Sequence, residues 1–164
     1  MTAFNITMLG GALVKRLQEA FTGFKLENEN PAIAADQSVT VYLGAVPKRE
    51  RGPSNAEVRP QFPLVIVRPR AWTDAEGESN ARFSVVQVDF IIGTRRLDAE
   101  GFLDVTAIAE RIRTNLLANP YIEKNARMEL PIESEIGEED SFPQWYGLVS
   151  TRFNVPQPIE EISL

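Results

Sequence analysis

Residues 81–92 read Ala-Arg-Phe-Ser-Val-Val-Gln-Val-Asp-Phe-Ile-Ile. Val86, Val88, Phe90 and Ile92 occupy alternate positions, with Gln87 and Asp89 among the residues between them. Successive side chains of a strand point to opposite faces, so this period of two predicts a long strand with one face in a core. A slip of one residue would turn the whole apolar row to water, so the stretch also fixes which face is inner. Gly93 breaks the pattern.

Working upstream, Phe62-Pro63 opens a second strand over 64–68, Leu-Val-Ile-Val-Arg. Its continuous apolar run predicts burial on both faces over its middle. The acidic, glycine-containing stretch 71–80 reads as the turn between these two strands. Residues 39–46 alternate, with Val39, Val41 and Leu43 on one face and Thr40 and Tyr42 on the other, and Pro47 ends that strand. Before it, 28–37 is polar, contains Pro31, and reads as a connection. Leu9, Leu13, Leu17 and Ala20/Phe21 recur at helical spacing over 6–21, and Gly23 is a stop signal. Gly10 and Gly11 cost that helix about 1 kcal/mol each, which moves its expected start toward Ala12.

Downstream, Asp98 is placed to cap a helix over 101–117, with Phe102, Val105, Ile108/Ala109, Ile112 and Leu116 as its apolar stripe and Asn119-Pro120 as its end. Met128, Leu130 and Ile132 alternate with Glu129, Pro131 and Glu133, which predicts a short edge strand, because Pro131 cannot donate to a ladder. Residues 136–142 read as an acidic loop. Trp145, Gly147, Val149, Thr151, Phe153 and Val155 then alternate with Tyr146, Leu148, Ser150, Arg152 and Asn154 as a last strand. The expected architecture is α+β: a mostly antiparallel sheet of about five strands with two helices packed on one face. One domain is expected over 1–158, with 159–164 a short acidic tail.

Composition narrows the function classes. The 164 residues contain no cysteine and no histidine, so thiolate metal sites, cysteine nucleophiles and Ser-His-Asp triads are excluded. Seventeen basic and 23 acidic residues give a net charge of −6, which argues against a protein that coats nucleic acid over its whole surface. No apolar run approaches the roughly 18 residues of a membrane helix, and 1–10 show no secretory pattern. Neither G-x-G-x-x-G nor G-x-x-x-x-G-K-[ST] occurs, so nucleotide phosphates have no expected cradle and no cofactor is expected. Physics alone stops at a soluble α+β domain with no enzymatic signature.

Charge is unevenly placed. Lys48, Arg49, Arg51 and Arg59 lie in the long loop 47–61, followed by Arg68 and Arg70. An exposed hairpin loop, a docking loop for an acidic surface, and phosphate contact all fit such a cluster, but it lacks the interleaved aromatics of single-strand binders. Glu138, Glu139 and Asp140, near Glu133 and Glu135, form the densest carboxylate group; its spacing does not match an EF-hand, so a solvated loop is the plain reading and no metal is expected. From 129 to 164 there are eight acids and one base, Arg152. If the basic and acidic regions lie on opposite flanks, copies can associate head to tail, a contact that closes into a ring when the rotation allows. Trp72, Trp145 and Tyr146 sit near strand ends, where packing is the default; the sharper reading makes Trp145 and Tyr146 partner anchors, because Trp, Tyr and Arg dominate interface hot spots.

The helix ending near Phe21, the phrase Phe62-Pro63-Leu64-Val65-Ile66-Val67, the strand 83–92, the helix 102–117 and the final Trp145-Tyr146 strand follow in an order that resembles the tail-terminator, or tail-completion, proteins of long-tailed bacteriophages. The resemblance implies an α+β subunit without enzymatic activity. Such a subunit assembles into a hexameric ring, caps the finished tail tube and offers its other face to the head–neck connector, while DNA passes through the lumen. It implies a virion protein of the tail or neck, assembled in the host cytoplasm. Its partners are further copies of itself, the tail-tube protein and the connector, with no membrane. On this reading Lys48, Arg49, Arg51, Arg59, Arg68 and Arg70 pair with acidic partner surfaces, Glu138, Glu139 and Asp140 reach neighbours or the tube, and Trp145 and Tyr146 are apolar anchors. Loop 47–61 and the acidic loop before Trp145 are longer than in the smallest members. The alternatives are another head–tail connector or minor tail protein of related fold, and a small-ligand-binding α+β enzyme.

Overall fold

In the computed structural model, residues 4–26, 38–46, 62–78, 81–138 and 142–157 are described. The stretch that opened the reading is the middle of the sheet. Strand β3 (Arg82–Arg95) is flanked on one side by β2 (Leu64–Glu76) and on the other by β6 (Gln144–Pro156), antiparallel to both. Beyond them lie β1 (Thr40–Leu43), β5 (Ala126–Ile136) and β4 (Tyr121–Ile122), in the order β1-β2-β3-β6-β5-β4. Helices α1 (Ile6–Ala20) and α2 (Gly101–Ala118) complete an α+β fold.

The core follows the two periodicities. Val86, Val88, Phe90 and Ile92 of β3 and Val149, Phe153 and Val155 of β6 form one face, and Leu9, Leu13 and Leu17 of α1 and Val105, Ile108, Ile112 and Leu116 of α2 close over it in a single cluster. Among the described residues the opposite sheet face carries no helix.

Four details depart from the sequence reading. The sheet has six strands and is mixed, because β1 runs parallel to β2 (Thr40↔Leu64 to Leu43↔Val67). The connection from Leu43 to Leu64 is long enough for the crossover that a parallel pair requires. Second, β2 does not stop at Arg68 but runs to Glu76, opposite β3 down to Glu76↔Arg82. Its last residues, from Ala71 on, are mostly exposed, and the Gly77 amide donates to the Ala81 carbonyl at 2.7 Å just beyond the two strands. Third, α1 starts at Ile6. Asn5 accepts from the Met8 amide at 2.9 Å, and Gly10 is there for close approach, since a Cβ on it would lie 2.9 Å from Leu43 Cδ1. Fourth, Asp98 stands two residues early: the residue capping α2 is Glu100, which makes no side-chain cap bond, and Asp98 Oδ1 accepts the Glu100 amide at 2.9 Å.

β5 is longer than expected but keeps the expected edge. It pairs with β6 over Arg127–Glu129 and again over Glu133–Ile136, and Pro131 falls in the irregular stretch between, where no ladder N–H is needed. On its outer side β4 covers only Ala126 and Arg127.

Each helix is closed by an arginine from the other. Neither has a basic residue in its last turn. Arg16 of α1 donates to the carbonyls of Asn115, Asn119 and Tyr121 and to Asn115 Oδ1, at the C-terminus of α2. Arg111 of α2 donates from Nε to the Ala20 carbonyl at 2.9 Å and lies over the Phe24 ring. Both place positive charge where helix carbonyls lack partners.

Candidate subunit and partner interface

Of the residues singled out for an interface, Lys48, Arg49, Arg51, Arg59, Glu139 and Asp140 lie outside the described residues. The other five are placed as follows.

Arg68 is exposed on β2 and its Nε donates to the Gly44 carbonyl at 2.8 Å, tying β2 to the end of β1. Arg70 occupies the irregularity between Pro69 and Ala71 and reaches back to Asp89, Nε to Oδ2 at 2.8 Å. Asp89 is buried and also accepts from the Ser150 hydroxyl at 3.2 Å. Arg70 therefore serves first inside the subunit, neutralising a carboxylate on the helix-free face. Glu138 is exposed just beyond β5.

Trp145 and Tyr146 diverge, as neighbours in a strand must. Trp145 is buried at 4% exposure beneath the start of α2. Its Nε1 donates to the Arg96 carbonyl at 3.3 Å, and a Cβ on Gly101 would fall 2.1 Å from that nitrogen. In this subunit it packs the core, the default reading of the sequence. Tyr146 points outward, its hydroxyl donating to Gln144 Oε1 at 2.6 Å. Trp72, for which packing was also the default, is instead 57% exposed.

The helix-free face is ordered by register, because directly paired residues share a face. Arg68, Asp89, Ser150 and Glu133 form one row across β2, β3, β6 and β5. Ile66, Ile91, Leu148 and Glu135 form the next, and Gln87, Arg152 and Glu129 another. The rows end on β5 in a column of three acids, Glu129, Glu133 and Glu135. Arg68 and Arg70 sit on β2, three strands away. Strand spacing of about 4.8 Å puts the two sides roughly 14 Å apart. On this face β2 thus carries Arg68, with Arg70 held by Asp89, while β5 carries the three acids together with Arg127, and Arg152 of β6 lies beside Glu129. The sequence named the acids but missed that pairing to β6 lines them up; the alternation Glu133-Ser134-Glu135 was the available signal.

A second cluster holds the base of α2. Arg96 bonds Asp98 and Asp104 at 2.8 and 3.1 Å, with Glu100 at 3.7 Å. The bond to Arg96 holds the Asp98 carboxyl below its ordinary range, whereas burial pushes Asp104 above it against the pull of Arg96. This arrangement fastens a helix and leaves no open position for a ligand. Among the described residues no group of three acids is arranged to hold a metal ion, and no helix is long and apolar enough to cross a membrane.

One groove of about 620 Å³ opens where the N-terminus of α1, the end of β1, the middle of β2 and the end of β6 meet. Its walls are largely apolar, with Phe4, Ile6, Leu43, Pro69, Trp72 and Val155 among them. Among the described residues its lining holds no titratable group.

No family model matches the chain, and no curated protein matches it in sequence. Among solved structures, a chain in the virion of a native gene transfer agent (GTA) particle is similar at 18% sequence identity with a TM-score of 0.51, covering 91% of this chain and 95% of that one. At that identity the likeness is one of fold, and it runs nearly end to end: this chain has the α+β architecture of a chain found in that virion.

Proposed function

We propose that this chain is a structural virion protein of a phage-like particle, and within it a tail terminator: a subunit of a ring that caps the tail tube and meets the head–neck connector. The observation that carries the reading is the end-to-end fold likeness to a chain of a gene transfer agent virion, together with the element order noted in the sequence. The lateral separation of Arg68 from Glu133 and Glu135 adds to it, because head-to-tail contact between copies needs unlike flanks. Copies join laterally by complementary charge, with Tyr146, Glu138 and loop 47–61 reaching neighbours or the tube, and DNA passes through the lumen. The function rests on shape and surface, and no catalytic residue or cofactor is assigned.

Another head–tail connector or minor tail protein shares this fold argument, and partner choice separates the readings. The purified chain is mixed with isolated tail tubes and, separately, with DNA-filled heads of its particle, and sedimented. Binding to tubes, at one end in electron micrographs, is the expected result. Binding to heads alone makes the chain a connector.

A further inference from the structure

At the end of the sheet where α2 begins, four large apolar side chains meet water. Leu97 is 68% exposed, Phe142 54%, and Phe102 and Ile136 44% each. Contacts within the subunit gather them. The Arg96 amide donates to the Pro143 carbonyl at 2.9 Å, which brings the segments carrying Leu97 and Phe142 together. Phe142 stands edge-on to Trp145, ring centroids 6.4 Å apart, and Trp145 lies against Gly101, the residue before Phe102. Ile136 pairs with Gly147, on which Val105 of α2 rests. Single exposed apolar residues are ordinary, but a group of them rimmed by polar residues marks a contact surface. Trp145, which the sequence offered as a partner anchor, is the buried floor of this group, and the rings that reach solvent beside it are Phe142 and Phe102.

The rim is acidic. Glu100, Glu135 and Glu138 are exposed around the group, with one exposed base there among the described residues, Arg95. Arg96 is committed to Asp98 and Asp104. Glu135 also belongs to the acidic column of β5, so the apolar group adjoins that side of the sheet. An apolar surface bordered by carboxylates selects a partner that is apolar and basic. The chain carries such residues at the other side of its sheet. Leu43, at the end of β1, is 48% exposed, and the exposed Arg68 donates to the carbonyl of the next residue, Gly44, so its guanidinium stands beside Leu43.

We propose that Leu97, Phe102, Ile136 and Phe142 are the apolar anchors of a contact between copies of this chain, docking head to tail against the β1–β2 side of a second copy at Leu43 and Arg68. Unlike patches on one molecule make a heterologous contact, the kind from which rings close. The inference rests on the reading that copies associate into a ring. To the paired charges it adds buried anchors, which carry most of the energy of such contacts.

Two measurements test it. Analytical ultracentrifugation over a concentration series compares the native chain with Leu97→Ser, Phe102→Ser and the double variant, and thermal unfolding checks the fold. The double variant is expected to associate at least roughly tenfold more weakly while unfolding near the native midpoint. Leu97→Ser, at the most exposed of the four, is expected to weaken association in the same direction. The site of contact is read by cross-linking. The chain has no cysteine of its own, so a short bis-maleimide joins only introduced ones. A mass-tagged Ala99→Cys chain is expected to cross-link to an Ala45→Cys chain and not to a Lys124→Cys chain; all three positions are exposed. A native chain that associates while the serine variants associate equally well overturns this surface and leaves the ring reading standing. Cross-links to Lys124→Cys in place of Ala45→Cys overturn the assigned side of the second copy. A native mass of 18.3 kDa at every concentration overturns both the surface and the ring.

Discussion

Arg96 shows how much one side chain settles at the start of α2. Its side chain is 14% exposed, and Asp104, its nearest inner partner, is 13% exposed. Replacing it with alanine leaves that carboxylate buried without its counter-charge. Arg96→Ala is expected to cost about 1–3 kcal/mol near neutral pH. The sign of the pH dependence follows from the two carboxyls. Asp98 has its pKa lowered by Arg96, so its contribution is present above its unfolded pKa and is lost as pH falls through the folded value. Asp104 is already raised by burial, and without Arg96 it rises further, which penalises the variant while the carboxyl is ionised and not once it is protonated. The gap between the native chain and Arg96→Ala should therefore be wide at neutral pH and narrow below the ordinary carboxylate range, as read from urea unfolding at several pH values. At this scale the sequence was legible where a residue obeyed its strand's period. Trp145 shares the odd positions of Val149 and Phe153 and is buried with them. Trp72 lies beyond the irregularity at Pro69/Ala71, opposite the core residue Val86 yet itself exposed on the groove wall, and nothing local marks that difference.

At the scale of elements, the helices are legible because three-to-four spacing is a strong signal, and their ends are less so because tertiary contacts set them. Gly10 looked like a penalty inside a helix; it is the price of packing against Leu43 and Pro69, which no local rule reveals. β2 outran its apolar run because pairing with β3, not burial, holds Ala71 to Glu76. The parallel β1–β2 pair was hidden in the long connection between them. The crossed arginines yield a prediction here. Arg16 donates to three backbone carbonyls at the end of α2, and Arg111 to one at the end of α1. Arg16→Ala is expected to destabilise by about 2–3 kcal/mol and Arg111→Ala by about 1 kcal/mol, in proportion to the hydrogen bonds each removes. Denaturant midpoints with unchanged slopes will show this order.

At the scale of the whole molecule, the sheet divides labour between its faces. One face holds the helices and the core. Among the described residues the other carries no helix, with Arg68 and the Arg70–Asp89 pair toward β2 and Glu129, Glu133 and Glu135, beside Arg127, on β5. The uneven charge was legible in the sequence, but its direction across the sheet was not, because it depends on β6 lying between β3 and β5. Within the proposed ring, Glu133→Lys with Glu135→Lys sets like charge against a neighbour's basic side. Both side chains are exposed, so the variant should unfold within about 0.5 kcal/mol of the native chain while assembling at least roughly tenfold more weakly, about 1.4 kcal/mol of association energy. Analytical ultracentrifugation checks the second, and thermal unfolding the first. Arg49→Glu with Arg51→Glu is expected to weaken assembly in the same way.

The central claim, a ring closed by unlike flanks, is tested most directly by the solution mass of the native chain, measured by light scattering over a concentration series at low and high salt. The account predicts a mass that climbs from that of the 18.3 kDa subunit toward six times that value as concentration rises. At about 1 M salt, where exposed charges are screened beyond roughly 3 Å, the climb should need higher concentrations. A mass of 18.3 kDa at every concentration and both salts would contradict ring closure by this chain.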